Sequence, residues 1–440
     1  MAENHRSESD LFFTRREMLG MSGAAVLSGL GGGKVMAEVE KRPRIACIIT
    51  YWAAPGSHAD WIVNKLLDGY WWKSAHTASR VDVVSVYIHQ LQDSPLGRKV
   101  CEKKGIPIFS SVREALTLRG KELAVDGVVL VGEHGNYHSN IKEQIYYPRW
   151  WLYQQIMRVF AQSKRSVPVF NDKHLSTDWN EAKWMYNQSR EMGFPLFGGS
   201  SIPFCHREPH FELDLETPLK ASVVTAFGNK EYFHGFETLQ CMADRRKGGE
   251  TGVEAVQCIE GPETWKWTDR NPWAGPLLDA ALSKYPNKPS GNVRDVVRQP
   301  YVFIIEYRDG TKGAVYHLNG YGIDQWTFAG DIEGRKEPVV TQPWFNMSPY
   351  GQYHAANAFE HWINEMMVTG KEPCPVERLL LTTGMQCFVM DSNWENGRHL
   401  EIGRRIETPY LDMKYHAVRE SLYDLGSKPP NIPYIRGFEK

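Results

Sequence analysis

The sequence predicts an α/β fold in two parts: a parallel-sheet domain over about residues 43–200, then an α+β domain over 201–440 with a large open, mostly antiparallel sheet. Three observations carry this. Short β-branched runs alternate with helix-spaced segments through the first half. Val167 to Phe204 reads as a complete strand–helix–strand crossover. The second half turns to runs that alternate apolar and polar residues, with a tight turn between two of them.

Taken in order, Arg44–Thr50 (RIACIIT) reads as a buried strand. His58–Tyr70 has the helical spacing of Trp61, Ile62, Leu66 and Leu67, completing a first βα unit. Further strands are expected at Val83–Ile88, Ile106–Phe109 and Asp126–Gly132. In the crossover, Val167–Phe170 is a strand. Asp178 with Glu181 three residues later is a capping-box signature opening a helix over Trp179–Glu191, and Pro195–Phe197 is the next strand. In the second half, Val253–Glu260, Val302–Tyr307 and Gly313–Leu318 alternate, with Arg308-Asp309-Gly310 as a hairpin turn. Gln352–Met367 is amphipathic and helical, while Trp265, Trp267, Trp273, Trp326 and Trp344 are expected in loops.

Ligands of parallel sheets bind beyond the carboxyl ends of the strands. Asn171, Asp172, Lys173 and His174 occupy such an end. The order of strand, Asp172-Lys173-His174, helix and strand resembles the Gfo/Idh/MocA family of sugar-active dehydrogenases, which carries Glu-Lys-Pro there; the lysine matches and both neighbours differ. GIPIFSSVREAL at Gly105–Leu116 and the segment Gly370–Ile402 also resemble that family. The order of these pieces over about 350 residues, rather than any one of them, makes the resemblance.

The resemblance implies a Rossmann-like first domain and an oxidoreductase that moves a hydride at a sugar ring carbon with tightly bound NAD or NADP. Redox-assisted cleavage of a glycoside is open to the same chemistry. It places Lys173 as the group that lowers the hydroxyl pKa. His234 or His134 takes the proton, and Tyr232 to Glu237 resembles the family's histidine-containing helix start. It also places Thr50, Trp52, Gly56, Ser57, Glu133 and Asp172 beside the cofactor, and Tyr137, His174, Arg207 and Glu237 beside the substrate. One departure is large. The three fingerprint glycines, needed for a tight turn and for close approach to pyrophosphate, fall on Thr50, Trp52 and Pro55. Two readings follow: a reshaped cofactor site with Trp52 stacking on a ring, or a cofactor-free lyase, isomerase or sugar-binding protein of the same fold.

Composition narrows the class. At 440 residues the chain is long enough for two cored domains, and a formal net charge of −1 argues against nucleic acid or an anionic membrane as the main partner. No apolar run is long enough for a membrane span. Thr14-Arg15-Arg16-Glu17-Met18-Leu19, a glycine-rich apolar stretch and Val35-Met36-Ala37 are read as a twin-arginine signal over residues 1–37, implying a periplasmic or extracellular protein. Seven cysteines without CxxC spacing give no disulfide framework or zinc ribbon. Glu133, His134, Asp172, His174, His206, His210, His234 and Glu237 could supply imidazole and carboxylate ligands for zinc or manganese, but no tight ligand motif such as HExxH occurs, so no metal site is assigned. The partner expected is a carbohydrate, with a homo-oligomer through the second sheet as the family resemblance implies.

Overall fold

The computed structural model describes residues 42–53, 56–227, 233–284, 288–322, 326–344, 355–397 and 403–426. The proposed signal, Pro55, Tyr232 and His354 lie outside these. Six strands form a parallel sheet: β1 (Arg44–Ile49), β2 (Asp82–Ile88), β3 (Ile108–Phe109), β4 (Gly127–Val131), β5 (Val169–Asp172) and β6 (Leu196–Gly199). They run in the order β3-β2-β1-β4-β5-β6. This is the doubly wound order, in which the crevice opens beside β1 where the direction of winding reverses. All of β4 and all but the first residue of β1 are buried, as expected when helices cover both faces of a sheet.

The connecting helices start where the sequence marks them. Ser57 caps α1 (His58–Asp68), its Oγ accepting from the Asp60 amide. α2 (Pro95–Lys104), α3 (Val112–Thr117) and α4 (Arg149–Ser163) follow. Asp178 caps α5 (Trp179–Glu191) through the amides of Asn180 and Glu181. The reciprocal half of the capping box is absent: the Glu181 carboxylate instead accepts from Ser176 Oγ at 2.5 Å and Tyr146 Oη at 2.7 Å.

The second sheet has eight strands: β7 (Arg207–Glu208), β8 (Leu219–Ala226), β9 (Val253–Glu260), β10 (Tyr301–Tyr307), β11 (Lys312–His317), β12 (Thr327–Ile332), β13 (Val339–Pro343) and β14 (Ile406–Glu407). Their order is β14-β9-β10-β11-β8-β12-β13-β7. Only β8 and β11 pair in parallel. The strand period of two is visible in the core. Val224, Phe303 and Val315 face a cluster that includes Phe236 and Leu239 of α6 (His234–Ala243). Val223, Val302 and Ala314 face a second cluster with Leu277, Leu278 and Ala281. Those three belong to α8 (Ala274–Ser283), which follows α7 (Pro262–Arg270). Trp265 and Trp267 lie on α7 and not in a loop as expected, because Pro262 at its start and an amphipathic spacing make a helix there.

Two late helices complete the molecule, α9 (Ala355–Thr369) and α10 (Val376–Gly397). α9 returns to the first sheet: Phe359, Ile363 and Met366 pack with Ile45, Cys47 and Ile62. The described residues from Arg42 onward accordingly form one compact unit. All seven cysteines are free and buried.

Candidate active site

The carboxyl ends of β1, β4 and β5 meet the start of α6, and a cluster of charged and titratable groups converges there. Lys173 follows β5 directly. Its backbone takes φ +65°, a left-handed conformation rare for a residue with a Cβ, and its amide donates to the Gly199 carbonyl at 3.0 Å. This turns the side chain toward α6, where Lys173 Nζ lies 3.0 Å from His234 Nε2. His134 after β4 is left-handed as well, at φ +66°. Two such residues at one strand edge mark a site whose backbone is held by its surroundings.

The His234 ring is oriented from behind. A lysine ammonium can only donate, so His234 Nε2 accepts from Lys173, which leaves the proton on Nδ1, donating to Ser200 Oγ at 2.5 Å. Burial, then the Lys173 charge, holds the imidazole well below its ordinary pKa, so it is neutral near pH 7. Trp326 packs edge-on against the same ring with centroids 4.9 Å apart. Glu237, one turn further along α6, does not reach the Lys173–His234 contact. Its carboxylate accepts from Thr382 Oγ1 at 2.7 Å and the Ser200 amide at 3.3 Å, and lies 3.7 Å from Arg378, so it supports the loop beneath His234.

Glu133 is the hub of the other half. Arg149 donates to its Oε1 at 2.6 Å, while Lys173 Nζ and His58 Nε2 stand 3.8 and 3.7 Å from Oε2. Burial pushes this carboxyl up, but Lys173, His58, Arg149 and His134 together hold it well below the usual carboxylate range. Asp172 pairs with His58, at 2.5 Å from Nδ1. His174 accepts from Arg149 at 3.3 Å and is kept neutral by burial and by that guanidinium. The sequence reading missed His58, Arg149, Ser200 and Trp326. Of these, Ser200 directly after β6 and His58 at the start of the helix after β1 stand where strand-tip reasoning would look.

Other candidates lie elsewhere. Tyr137 bonds and stacks with His89, its Oη 2.8 Å from Nδ1. Arg207 is fully buried away from this cluster, donating to the Pro203 carbonyl at 2.9 Å beneath the Tyr423 ring. Thr50 is buried, its Oγ donating to the Glu133 carbonyl at 2.7 Å.

Beside β1, the described groups that a dinucleotide phosphate would meet at the start of α1 are engaged within the protein. Trp52 is fully buried in the core, leaving no indole face for a cofactor ring. Its amide donates to Ser94 Oγ at 2.9 Å and its carbonyl accepts from Gly97 at 3.2 Å, which ties the loops after β1 and β2 together. Gly97 leaves room for that ring: a Cβ there would sit 3.0 Å from Trp52 Cβ. Ser57 Oγ is engaged by Ala53 and Asp60. Gly56, left-handed at φ +98°, directs its amide to the buried Asp60 carboxylate at 3.4 Å. At the start of α1 the Gly56 amide and the Ser57 hydroxyl are therefore already used, and the Asp60 carboxylate beside them opposes an anion there. Beyond β2, Gln90 brackets Asn136, donating to its carbonyl at 2.9 Å and accepting from its amide at 2.8 Å.

No family model matches the chain, and no curated protein does. Solved structures share its architecture. The GenD2 protein of gentamicin A biosynthesis, in complex with NAD, is 13% identical with a TM-score of 0.53, over 89% of this chain and 100% of that one. A probable dehydrogenase from Thermotoga maritima is 12% identical at 0.51, over 84% and 99%. Apo scyllo-inositol dehydrogenase from Lactobacillus casei is 10% identical at 0.50, over 84% and 98%. The chain thus has the fold of these dehydrogenases, a Rossmann-like sheet followed by a mostly antiparallel one, as the resemblance to the Gfo/Idh/MocA family implied.

Proposed function

We propose that the protein is an enzyme of the sugar-dehydrogenase type, acting on a hydroxylated, sugar-like substrate whose reacting hydroxyl proton passes through Lys173 and His234. The observation that carries this is the 3.0 Å contact between Lys173 Nζ and the unprotonated Nε2 of His234 at a strand tip. Lys173 is placed to hydrogen-bond a substrate oxygen and to hand a proton to the imidazole behind it, and Ser200 keeps that imidazole in the accepting tautomer. The neighbours, one of them in complex with NAD, support oxidation of that carbon with NAD or NADP as the hydride acceptor.

A second reading is favoured by Trp52 and Asp60 in the crevice: a lyase or isomerase on a keto sugar. There the same pair would remove the proton from carbon beside the ketone, and no nucleotide is required. The first experiment is to purify the protein without added nucleotide, denature it, and look for released NAD(H) or NADP(H) by mass spectrometry. Near-stoichiometric release supports the oxidoreductase with a displaced nucleotide pose. An empty protein that fails to bind added nucleotide, yet turns over a 3-keto-glycoside, supports the second. Failure to act on either substrate class removes the enzyme reading. Export through the twin-arginine signal and a dimer through the second sheet belong to the same proposal. Cell fractionation tests the first and light scattering the second.

A further inference from the structure

We propose that His58, Glu133 and His134 form a binding site for a divalent transition-metal ion, with Asp172 and Arg149 orienting its ligands. Each of the three offers one ligand atom, and those atoms lie within 4.8 Å of one another. A tetrahedral ion at about 2.0–2.1 Å from nitrogen needs neighbouring ligand atoms about 3.3 Å apart. His58 Nε2 and Glu133 Oε2 are already at 3.7 Å, so side-chain rotation closes most of the gap.

The surrounding contacts are those a metal site requires. Asp172 holds His58 Nδ1 at 2.5 Å, fixing the ring so that Nε2 faces the cluster, the carboxylate–histidine–metal pattern. Arg149 occupies Glu133 Oε1 and leaves Oε2 as the ligand oxygen. The rings of His58 and His134 meet edge to face with centroids 4.8 Å apart. The left-handed backbone of His134 turns its side chain into this position at a conformational cost. Two imidazoles and a carboxylate favour zinc, iron(II) or cobalt over magnesium or calcium, and three protein ligands leave a position open to water or a substrate oxygen. Lys173 is the competing cation, 3.8 Å from Glu133 Oε2. A bound ion and the Lys173 ammonium therefore compete for the same carboxylate and oppose each other.

This site does not depend on the reaction proposed above, and its test reads metal alone. The full chain is stripped with chelator and titrated with cobalt(II), following the visible absorption of the bound ion, and metal content is measured on the protein as purified. One equivalent is expected. His58→Ala and His134→Ala should weaken binding by about 100-fold or more, and Asp172→Asn by about 10- to 100-fold. Lys173→Met should tighten it by removing the opposing charge. Circular dichroism checks that each variant is folded. Should His58→Ala unfold, His134→Ala decides, since that ring is only partly buried. No cobalt absorption up to about 1 mM in the wild-type chain, weaker than any metal site of this kind should be, overturns the proposal. Unchanged binding in folded His134→Ala does so too.

Discussion

Lys173 combines a reactive side chain with a strained backbone, and the two can be separated by substitution. Lys173→Met keeps the length and the left-handed strain but removes the charge and the proton. Turnover should fall by at least about 100-fold, with the melting temperature little changed. Lys173→Gly removes the strain as well, so its stability should match or exceed that of Lys173→Met although it is equally inactive. Thermal melts beside steady-state rates test both, and normal turnover in either variant removes Lys173 from the chemistry. The sequence offered this residue because a lysine directly after a β-branched run lies at a strand's carboxyl end. It did not single out His58, which stands near a strand tip but reads as an ordinary first helical residue, because its partner Asp172 is 114 residues away. Arg207 shows the opposite error. Its neighbours Cys205, His206 and His210 look like a site in one dimension, yet its guanidinium lies in the core over Tyr423, 4.2 Å from the ring centroid. Burial of an arginine by backbone carbonyls leaves no trace in local pattern.

At the scale of elements, β6 and the loop after β1 set the geometry. Gly199, the last residue of β6, takes φ +105°, accepts the Lys173 amide, and would place a Cβ 2.6 Å from Glu237 Oε2. Gly199→Ala should cost about 2–4 kcal/mol in urea unfolding and lower activity by displacing both Lys173 and the support under His234. A variant as stable and active as the parent would refute this account of β6. Trp52→Ala removes a fully buried indole and should cost about 3–5 kcal/mol, measured the same way. A loss under about 1 kcal/mol would mean the indole is not a core element of the crevice. Strands and helices with strong periodicity were readable: β9 and α5 run over the residues that alternation and capping indicated. The crevice was half readable. The missing glycines announced that the phosphate turn is absent, but Ser94, Gly97 and Asp60, which occupy its place, act through contacts between loops that no local pattern encodes.

Across the whole molecule, the late helices tie the two sheets together, and their junction contains a carboxyl group that should make stability depend on pH. Asp244 ends α6 beside Arg378 of α10, with Glu250, Arg245 and Arg246 around it. Burial raises its pKa to about 7, with Glu250 adding to the rise and the three arginines opposing it. In the unfolded chain the group titrates near about 3.9. Between about pH 4 and 7 the folded protein therefore holds a proton that unfolding releases, so this group's contribution to stability is fully present below about pH 4 and is lost as pH rises toward 7. Other carboxylates, such as Glu133 with its lowered pKa, act in the opposite direction, so the net curve hides the effect. The difference between two proteins isolates it. Asp244→Asn carries no titrating group, and its unfolding free energy minus that of the wild type should rise between pH 4.5 and 8, by on the order of 1–3 kcal/mol. Denaturant melts at four or five pH values suffice. A difference that is flat or falls with pH would mean that the arginines, rather than burial, govern Asp244, and that the junction is held by ion pairs instead of a neutral acid.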